Sequence, residues 1–190
     1  MQVTKTQLPD VLLCAPKVFG DDRGYFFETY QAERYAAAGI PGPFVQDNLS
    51  HSRQGILRGL HLQHPQAQGK LVYVLEGEVF DVAVDVRVGS PNFGRFASAL
   101  LNSENRHQLY VPPGFAHGFC VTSERATFAY KCTDYYSPTT ELSVLWNDPD
   151  LAIPWPVQQP QLSAKDQAGL RLRDIPPARL PRYADEGPPA

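Results

Sequence analysis

Proline and glycine constrain the architecture of this chain more than any other feature of its sequence. The 190 residues include 18 prolines and 14 glycines, and these are spread along the whole chain. Proline interrupts helices and glycine favours turns, so their spacing favours many short strands over long helices. Two segments, 32–38 and 163–170, are predicted to be helical. In the second, Ser163 can cap the helix and Asp166 lies in its first turn.

The centre of the chain has the pattern of β-strands. Residues 71–75 are apolar and largely β-branched, and a turn follows at 76–78. From Phe80 to Val86, large apolar residues alternate with Asp81, Ala83 and Asp85, which is the period of a strand with two different faces. Short strands also fit at 108–111, 118–122, 127–132 and 142–146. The pattern predicts an all-β jelly-roll barrel with short peripheral helices.

The length of the chain suits one domain. The segment 39–43, Gly-Ile-Pro-Gly-Pro, separates an N-terminal region from the barrel. We expect a single domain over 1–190, with its core at about 15–170. The segment 171–190 is predicted to form an irregular C-terminal arm, because proline recurs after Ile175.

Charge and cysteine content narrow the range of functions. Seventeen basic and 20 acidic residues give a formal net charge of −3, which favours neither nucleic acid nor an acidic membrane as a partner. The three cysteines form no C-x-x-C pair, so neither a disulfide framework nor a zinc ribbon is indicated. The N-terminus lacks the apolar core of a signal peptide, and no apolar run is long enough to span a bilayer. We therefore expect a cytoplasmic protein.

A first group of candidate functional residues lies between positions 46 and 70. Its members are Gln46, Asp47, Asn48, Arg58, His61 and Lys70. In a regular strand Arg58 and His61 would point to opposite faces, unless a bulge or turn at Gly59 intervenes. A histidine close to an arginine and a lysine is a candidate for binding or acid–base chemistry.

A second group contains the pattern P-x-G-x-x-H at 112–117, ending at His117, which is typical of the second cupin motif. The first cupin motif would supply H-x-H as metal ligands, but here the corresponding residues are His61, Leu62 and Gln63. One imidazole and one amide match a transition-metal site poorly. We therefore expect a cupin-like fold without a metal.

Two further groups contain Tyr130 and Tyr136, and Lys165 and Asp166. Aromatic residues at strand spacing usually belong to a core, but a tyrosine hydroxyl near a base is also a competent general acid. Taken alone, residues 162–166 have the composition of an ordinary helix start with solvated charges.

Ten stretches, taken together and in order, carry a more specific signal. They are 19–24 with 27–28, 46–50, 55–61, 68–70, 81–87, 90–91 with 93–94, 113–119, 130–133 with 136, 146–148 and 162–166. In this order they resemble the dTDP-4-dehydrorhamnose 3,5-epimerase family, over a span from about Phe19 to Asp166. The resemblance implies a metal-independent epimerase without cofactors, whose substrate is a dTDP-linked 4-keto-6-deoxy sugar.

The resemblance also implies roles for individual residues. His61 matches the base, Asp166 its dyad partner and Tyr130 the acid. Lys70 matches the group beside the enolate oxygen, and Tyr136 the residue that stacks on thymine. The remaining matches are ligand contacts: Arg23, Glu28, Gln46, Asp47, Asn48, Arg58, His117, Glu141 and Lys165. The family forms a homodimer in which an N-terminal segment enters the partner's sheet, so Arg23 and Glu28 would serve the neighbouring site.

The expected reaction inverts C3 and C5 of dTDP-4-dehydro-6-deoxy-glucose to give dTDP-4-dehydro-L-rhamnose. Three alternatives remain open from the sequence. The enzyme could invert C3 alone or C5 alone on a related nucleotide sugar. A metal-dependent cupin enzyme is a second alternative, which Gln63 disfavours. A non-catalytic sugar-binding barrel is a third, disfavoured because a base, a partner carboxylate, a lysine and a tyrosine are all present.

Overall fold

The computed structural model describes residues 1–183, and its regular structure is mainly short antiparallel strands. In chain order the strands are β1 Gln2–Lys5, β2 Leu12–Ala15, β3 Val18–Asp21, β4 Gly24–Phe27, β5 Gln46–Arg53, β6 Leu57–Gln63, β7 Lys70–Glu76, β8 Glu78–Asp85, β9 Phe96–Asn102, β10 Gln108–Val111, β11 Phe115–Val121, β12 Arg125–Cys132 and β13 Glu141–Ser143. The predicted all-β, jelly-roll class is confirmed.

Two sheets face each other and form the barrel. One has six strands in the order β1-β2-β10-β7-β12-β5, and the other has five in the order β13-β6-β11-β8-β9. A separate hairpin pairs β3 with β4. Buried side chains from both sheets fill the space between them, including Val72 and Phe128 from one sheet and Ala83, Phe115 and Phe119 from the other. This shared core holds the sheets together.

Strand β8 has the predicted alternation, but both of its faces are buried. Ala83 packs between the two sheets, while Val82 and Val84 point to the outer side of the five-stranded sheet. There they pack against residues from the end of the chain, including Leu172 and Leu180. The polar residues of the strand are also enclosed, since Asp81 and Asp85 are both fully buried.

Two short α-helices lie outside the sheets. Helix α1, Ala32–Ala37, agrees with the prediction to within one residue. Helix α2, Ala164–Gln167, is shorter than predicted. Its extension toward Leu170 is replaced by a parallel bridge between Leu170 and Val144, which ties the chain to the edge of the five-stranded sheet. Among residues 1–183, no helix combines the length and apolar character needed to cross a membrane.

Both ends of the chain contribute more to the core than the limits of 15–170 imply. Leu8 and Val11 are buried between the sheets, and β1 and β2 belong to the six-stranded sheet. At the other end, two short 3-10 helices, Leu172–Asp174 and Pro177–Arg179, form an irregular segment that nevertheless packs on the barrel. Residues 184–190 of the expected arm lie outside the described residues.

Candidate active site

Residues from both sheets line a cavity of about 440 Å³. Eleven of the fourteen residues proposed from the sequence line it: Gln46, Asn48, Arg58, His61, Lys70, His117, Tyr130, Tyr136, Glu141, Lys165 and Asp166. Ten of them come from β5, β7 and β12 on one side and from β6, β11, β13 and α2 on the other, and Tyr136 comes from the loop between β12 and β13. The fold therefore collects residues from distant parts of the sequence in one site.

His61 and Asp166 form a close pair. The Nε2 atom of His61 lies 2.5 Å from Oδ1 of Asp166, and the other carboxylate oxygen accepts a hydrogen bond of 2.8 Å from Ser163. Burial alone would raise the pKa of Asp166, but its bonds to His61 and Ser163 and the backbone amide of Gly59 outweigh burial and lower that pKa. Asp166 is therefore ionised near neutral pH.

The location of Asp166 differs from the solvated helix start that its local sequence suggests. Only 3% of the residue is exposed. Backbone hydrogen bonds from Leu57 to Gln161 and from Gln161 to Gly55 bring the segment before α2 against β6. After α2, the bridge at Leu170 fixes the chain again. Backbone contacts before and after the four-residue helix α2 therefore hold Asp166 next to His61.

A bulge in β6 allows Arg58 and His61 to face the same cavity. His61 pairs with His117 and Arg58 with Phe119, so β6 has one residue more than β11 over this interval. Gly59 has a φ of +112°, and a Cβ there would lie 2.6 Å from both Cα of Gly118 and the carbonyl oxygen of His117. Glycine is required here by backbone conformation and by close contact.

Tyr130 enters the cavity from the sheet opposite His61. It lies on β12, whereas His61 lies on β6. Among residues 1–183 its hydroxyl has no assigned hydrogen-bond partner, and burial raises its pKa above the ordinary value. The hydroxyl therefore keeps its proton at neutral pH and remains available to a ligand.

The carboxylate of Asp81, which was not among the residues proposed from the sequence, is buried near both His117 and Lys70. Nε2 of His117 lies 2.9 and 3.0 Å from the two carboxylate oxygens of Asp81, which is fully buried. Burial lowers the pKa of Lys70, and the nearby acidic groups, Glu141 and Asp81 among them, oppose this shift. In the sequence Asp81 was a polar position in an alternating strand. Its contact with His117 depends on the pairing of β8 with β11, in which Asp81 is opposite Phe119 and His117 is opposite Ala83.

Tyr136, Glu141 and Lys165 form a polar chain at the cavity's outer end. The hydroxyl of Tyr136 donates to Glu141 at 2.8 Å, and Lys165 pairs with the same carboxylate at 2.5 Å. Burial alone would raise the pKa of Glu141, but its bonds with Lys165 and Tyr136 lower it. Gln46 accepts a hydrogen bond of 2.9 Å from the backbone of Tyr136 and so fixes the loop on which it lies.

Gln63, which occupies the position of a cupin metal ligand, is engaged with backbone groups. Its amide nitrogen donates to the carbonyl groups of Gln66 and Tyr135, and its oxygen accepts from the backbone of Ser137 at 2.8 Å. Within residues 1–183, no group of three or more His, Cys, Asp or Glu side chains is placed to hold a metal ion. Gln63 instead stabilises the loop that carries Tyr136.

Three of the proposed contacts lie outside this cavity. Arg23 pairs with Asp21 at the exposed tip of the β3–β4 hairpin. Glu28 pairs with Arg34 of helix α1. Asp47 points to the opposite side of β5 from its neighbours Gln46 and Asn48, and accepts hydrogen bonds from Lys131. Within one copy of the chain, these residues do not reach the site.

Comparison with known proteins identifies the family. A family model described as dTDP-4-dehydrorhamnose 3,5-epimerase matches residues 5–174. The chain is 54% identical over 176 residues to the dTDP-4-dehydrorhamnose 3,5-epimerase of Pseudomonas aeruginosa, covering 92% of this chain and 97% of that protein. It is 55% identical over 175 residues to the Salmonella typhimurium protein of the same name, covering 90% of this chain and 96% of that protein.

A solved structure gives the same result. The crystal structure of dTDP-6-deoxy-D-glucose-3,5-epimerase from Legionella pneumophila, in complex with dTDP-4-keto-L-rhamnose, superimposes with a TM-score of 0.94 at 54% identity. The match covers 96% of this chain and 98% of that one. The chain described here therefore belongs to the dTDP-4-dehydrorhamnose 3,5-epimerase family of isomerases.

Proposed function

We propose that this enzyme inverts C3 and C5 of dTDP-4-dehydro-6-deoxy-glucose, with His61 as the base and Tyr130 as the acid. The observation that carries the mechanism is the placement of these two side chains on opposite sheets of one cavity. Inversion needs a base on one face of a carbon and a proton donor on the other. A sugar ring held between the sheets would have His61 on one face and Tyr130 on the other.

The C4 ketone accounts for the choice of carbons. C3 and C5 both adjoin it, so removing a proton from either gives an enolate whose charge rests on the same oxygen. One positive group can therefore serve both steps. We assign this role to Lys70, which is half-buried and lines the cavity. Burial lowers its pKa, and its acidic neighbours oppose that shift.

His61 is prepared as a base by Asp166. The ionised carboxylate accepts a hydrogen bond at Nε2, which assigns the imidazole proton to that nitrogen and leaves Nδ1 free to take a proton from carbon. When His61 becomes an imidazolium, the same carboxylate stabilises its charge. The C–H bond breaks, its electron pair forms the enolate, and the proton passes to Nδ1.

Tyr130 completes the inversion. Its proton moves to the opposite face of the carbanion carbon, and a new C–H bond forms. Before the next cycle the tyrosinate takes up a proton from solvent and the His61 imidazolium releases its proton to solvent. The raised pKa of Tyr130 is consistent with a donor that starts each cycle protonated.

The remaining cavity residues suit a dTDP-linked sugar. Arg58 can bind the diphosphate with its guanidinium group, and Tyr136, which is exposed at the outer end, can stack on the thymine. The polar side chains of Gln46, Asn48, His117, Glu141 and Lys165 are assigned to further ligand contacts.

We further propose a homodimer in which the β3–β4 hairpin serves the neighbouring subunit. The hairpin carries exposed aromatic residues, with Phe19, Tyr25 and Phe26 each more than half exposed. Such a group is typical of a protein–protein contact. A partner's hairpin would bring Arg23, and the nearby Glu28, toward the diphosphate and the thymine of the nucleotide.

Incubation with the 4-keto-6-deoxy nucleotide sugar in deuterated water tests the reaction. We expect deuterium at both C3 and C5, together with the doubly inverted product. Exchange at one carbon alone would establish a single epimerase, and exchange at neither would refute the proposed chemistry.

A further inference from the structure

A second hydroxyl in the cavity wall, besides that of Tyr130, has no hydrogen-bond partner within residues 1–183. Among residues 1–183, the buried side-chain polar atoms without a hydrogen bond are Oγ of Ser50 and Nε of Arg106. Ser50 lines the cavity. Burying a hydroxyl without a hydrogen bond is unfavourable, and such groups are uncommon in folded proteins. A partner supplied by the ligand would explain this exception.

The neighbours of Ser50 indicate the chemistry of that partner. Ser50 and Ser52 are two residues apart on β5 and therefore project from the same face. The hydroxyl oxygen of Ser52 accepts hydrogen bonds from Nε and Nη2 of Arg58, at 3.2 and 3.1 Å. This contact holds the guanidinium group beside the wall that contains Ser50.

The charge of Arg58 is not neutralised by the protein. Its contact with Ser52 is to an uncharged oxygen, and no carboxylate within residues 1–183 forms an ion pair with it. A cationic group and an unused hydroxyl donor on one wall together suit an anionic oxygen. Hydrogen bonds to charged acceptors are stronger than those to neutral ones, which favours phosphate over a sugar hydroxyl.

We propose that Ser50 donates a hydrogen bond to a phosphate oxygen of the nucleoside diphosphate and forms an anion subsite with Arg58. Ser52 is then a positioning residue, because it acts through Arg58. This inference rests on the proposed function in one respect, namely that the ligand carries a diphosphate. The hydroxyl hydrogen of Ser50 can rotate freely toward the ligand, since no protein acceptor holds it.

The test compares binding of dTDP and of thymidine to Ser50→Ala by titration calorimetry. We expect the affinity for dTDP to fall about tenfold or more, as for a lost hydrogen bond to a charged group, with the affinity for thymidine unchanged. The Tm of the free protein should stay the same or rise, because the variant removes a hydroxyl that has no partner. Ser98→Ala, on β9 and outside the cavity, is the matched control and should change none of these values.

Several results would overturn the assignment. Unchanged dTDP affinity would show that Ser50 does not contact phosphate. An equal loss for dTDP and thymidine would place the hydroxyl against the nucleoside, and a raised KM for the sugar nucleotide with normal dTDP affinity would place it against the sugar. A lower Tm would indicate a structural role. Epimerisation by the wild-type protein is measured separately, so failure of the reaction and failure of the subsite are distinguishable.

Discussion

Substitution of Tyr130 by phenylalanine isolates the acid step from the rest of the reaction. The variant keeps the aromatic ring and its contact with Phe128, whose ring centre lies 5.9 Å away. It loses no assigned hydrogen bond within residues 1–183, so the free energy of unfolding should change by less than about 1 kcal/mol. The cavity and its nucleotide contacts should therefore remain intact.

The expected effect on the reaction is large. A positioned general acid contributes about 10²–10⁴-fold to rate, which corresponds to about 2.7–5.4 kcal/mol of transition-state stabilisation. His61 lies on the opposite sheet and can still remove a proton and return it to the same face. Loss of the hydroxyl should therefore suppress inversion while leaving exchange with solvent.

The assay follows both processes by NMR in deuterated water. For Tyr130→Phe we expect deuterium to enter the substrate while inverted product forms at about 10²–10⁴-fold lower rate. The control is Tyr136→Phe, which also removes a tyrosine hydroxyl from the cavity but retains the ring that stacks on thymine, and which should remain nearly fully active. If Tyr130→Phe inverts at the normal rate, another group is the acid. If exchange and inversion disappear together, Tyr130 is needed for proton removal, and the division of roles is wrong.

Three further predictions follow from the same geometry. Asp166→Asn should reduce kcat/KM by about 10²–10⁴-fold, because the neutral amide no longer fixes the His61 tautomer, and the loss should be smaller than for His61→Ala in the same steady-state assay. Burial lowers the pKa of Lys70 below its ordinary 10.5, so Lys70 should lose its charge, and the enolate its stabilisation, as pH rises through that lowered value. The rate of deuterium exchange should therefore fall at alkaline pH, and in Tyr130→Phe it should fall in the same way. If the alkaline fall disappears in Tyr130→Phe, it belongs to Tyr130. If sites are shared between subunits, mixing Arg23→Ala and His61→Ala proteins should restore activity, and no recovery after confirmed subunit exchange would argue against sharing.

The strands of the barrel could be predicted because their signals are local. Residues 71–75 and 108–111 show strand composition within a few positions, and β7 and β10 include them. The faces of β8 could not be assigned in the same way. Its alternation suggested two unlike faces, but residues such as Leu180, far along the chain, cover the outer one. The local period marks that face as apolar but does not show which segment covers it.

Asp166 shows the limit of local reasoning at the site. Its sequence environment is that of an exposed helix start, and only the resemblance to the epimerase family marked it as a partner of His61. The two residues are 105 positions apart, and their contact depends on backbone bonds at Gly55 and Leu57. Gly59 was the local exception, because glycine at that position signalled the bulge that the strand contains.

The bulge in β6 has a consequence for chain-length variation at this site. Arg58 and His61 are three residues apart, whereas their partners Phe119 and His117 are two apart. Deleting one residue between Arg58 and the histidine would give equal spacing on both strands, and both side chains would still face the cavity. What would be lost is the turned backbone whose Gly59 amide supports the Asp166 carboxylate. The extra residue thus places a main-chain donor beside the Asp166 carboxylate.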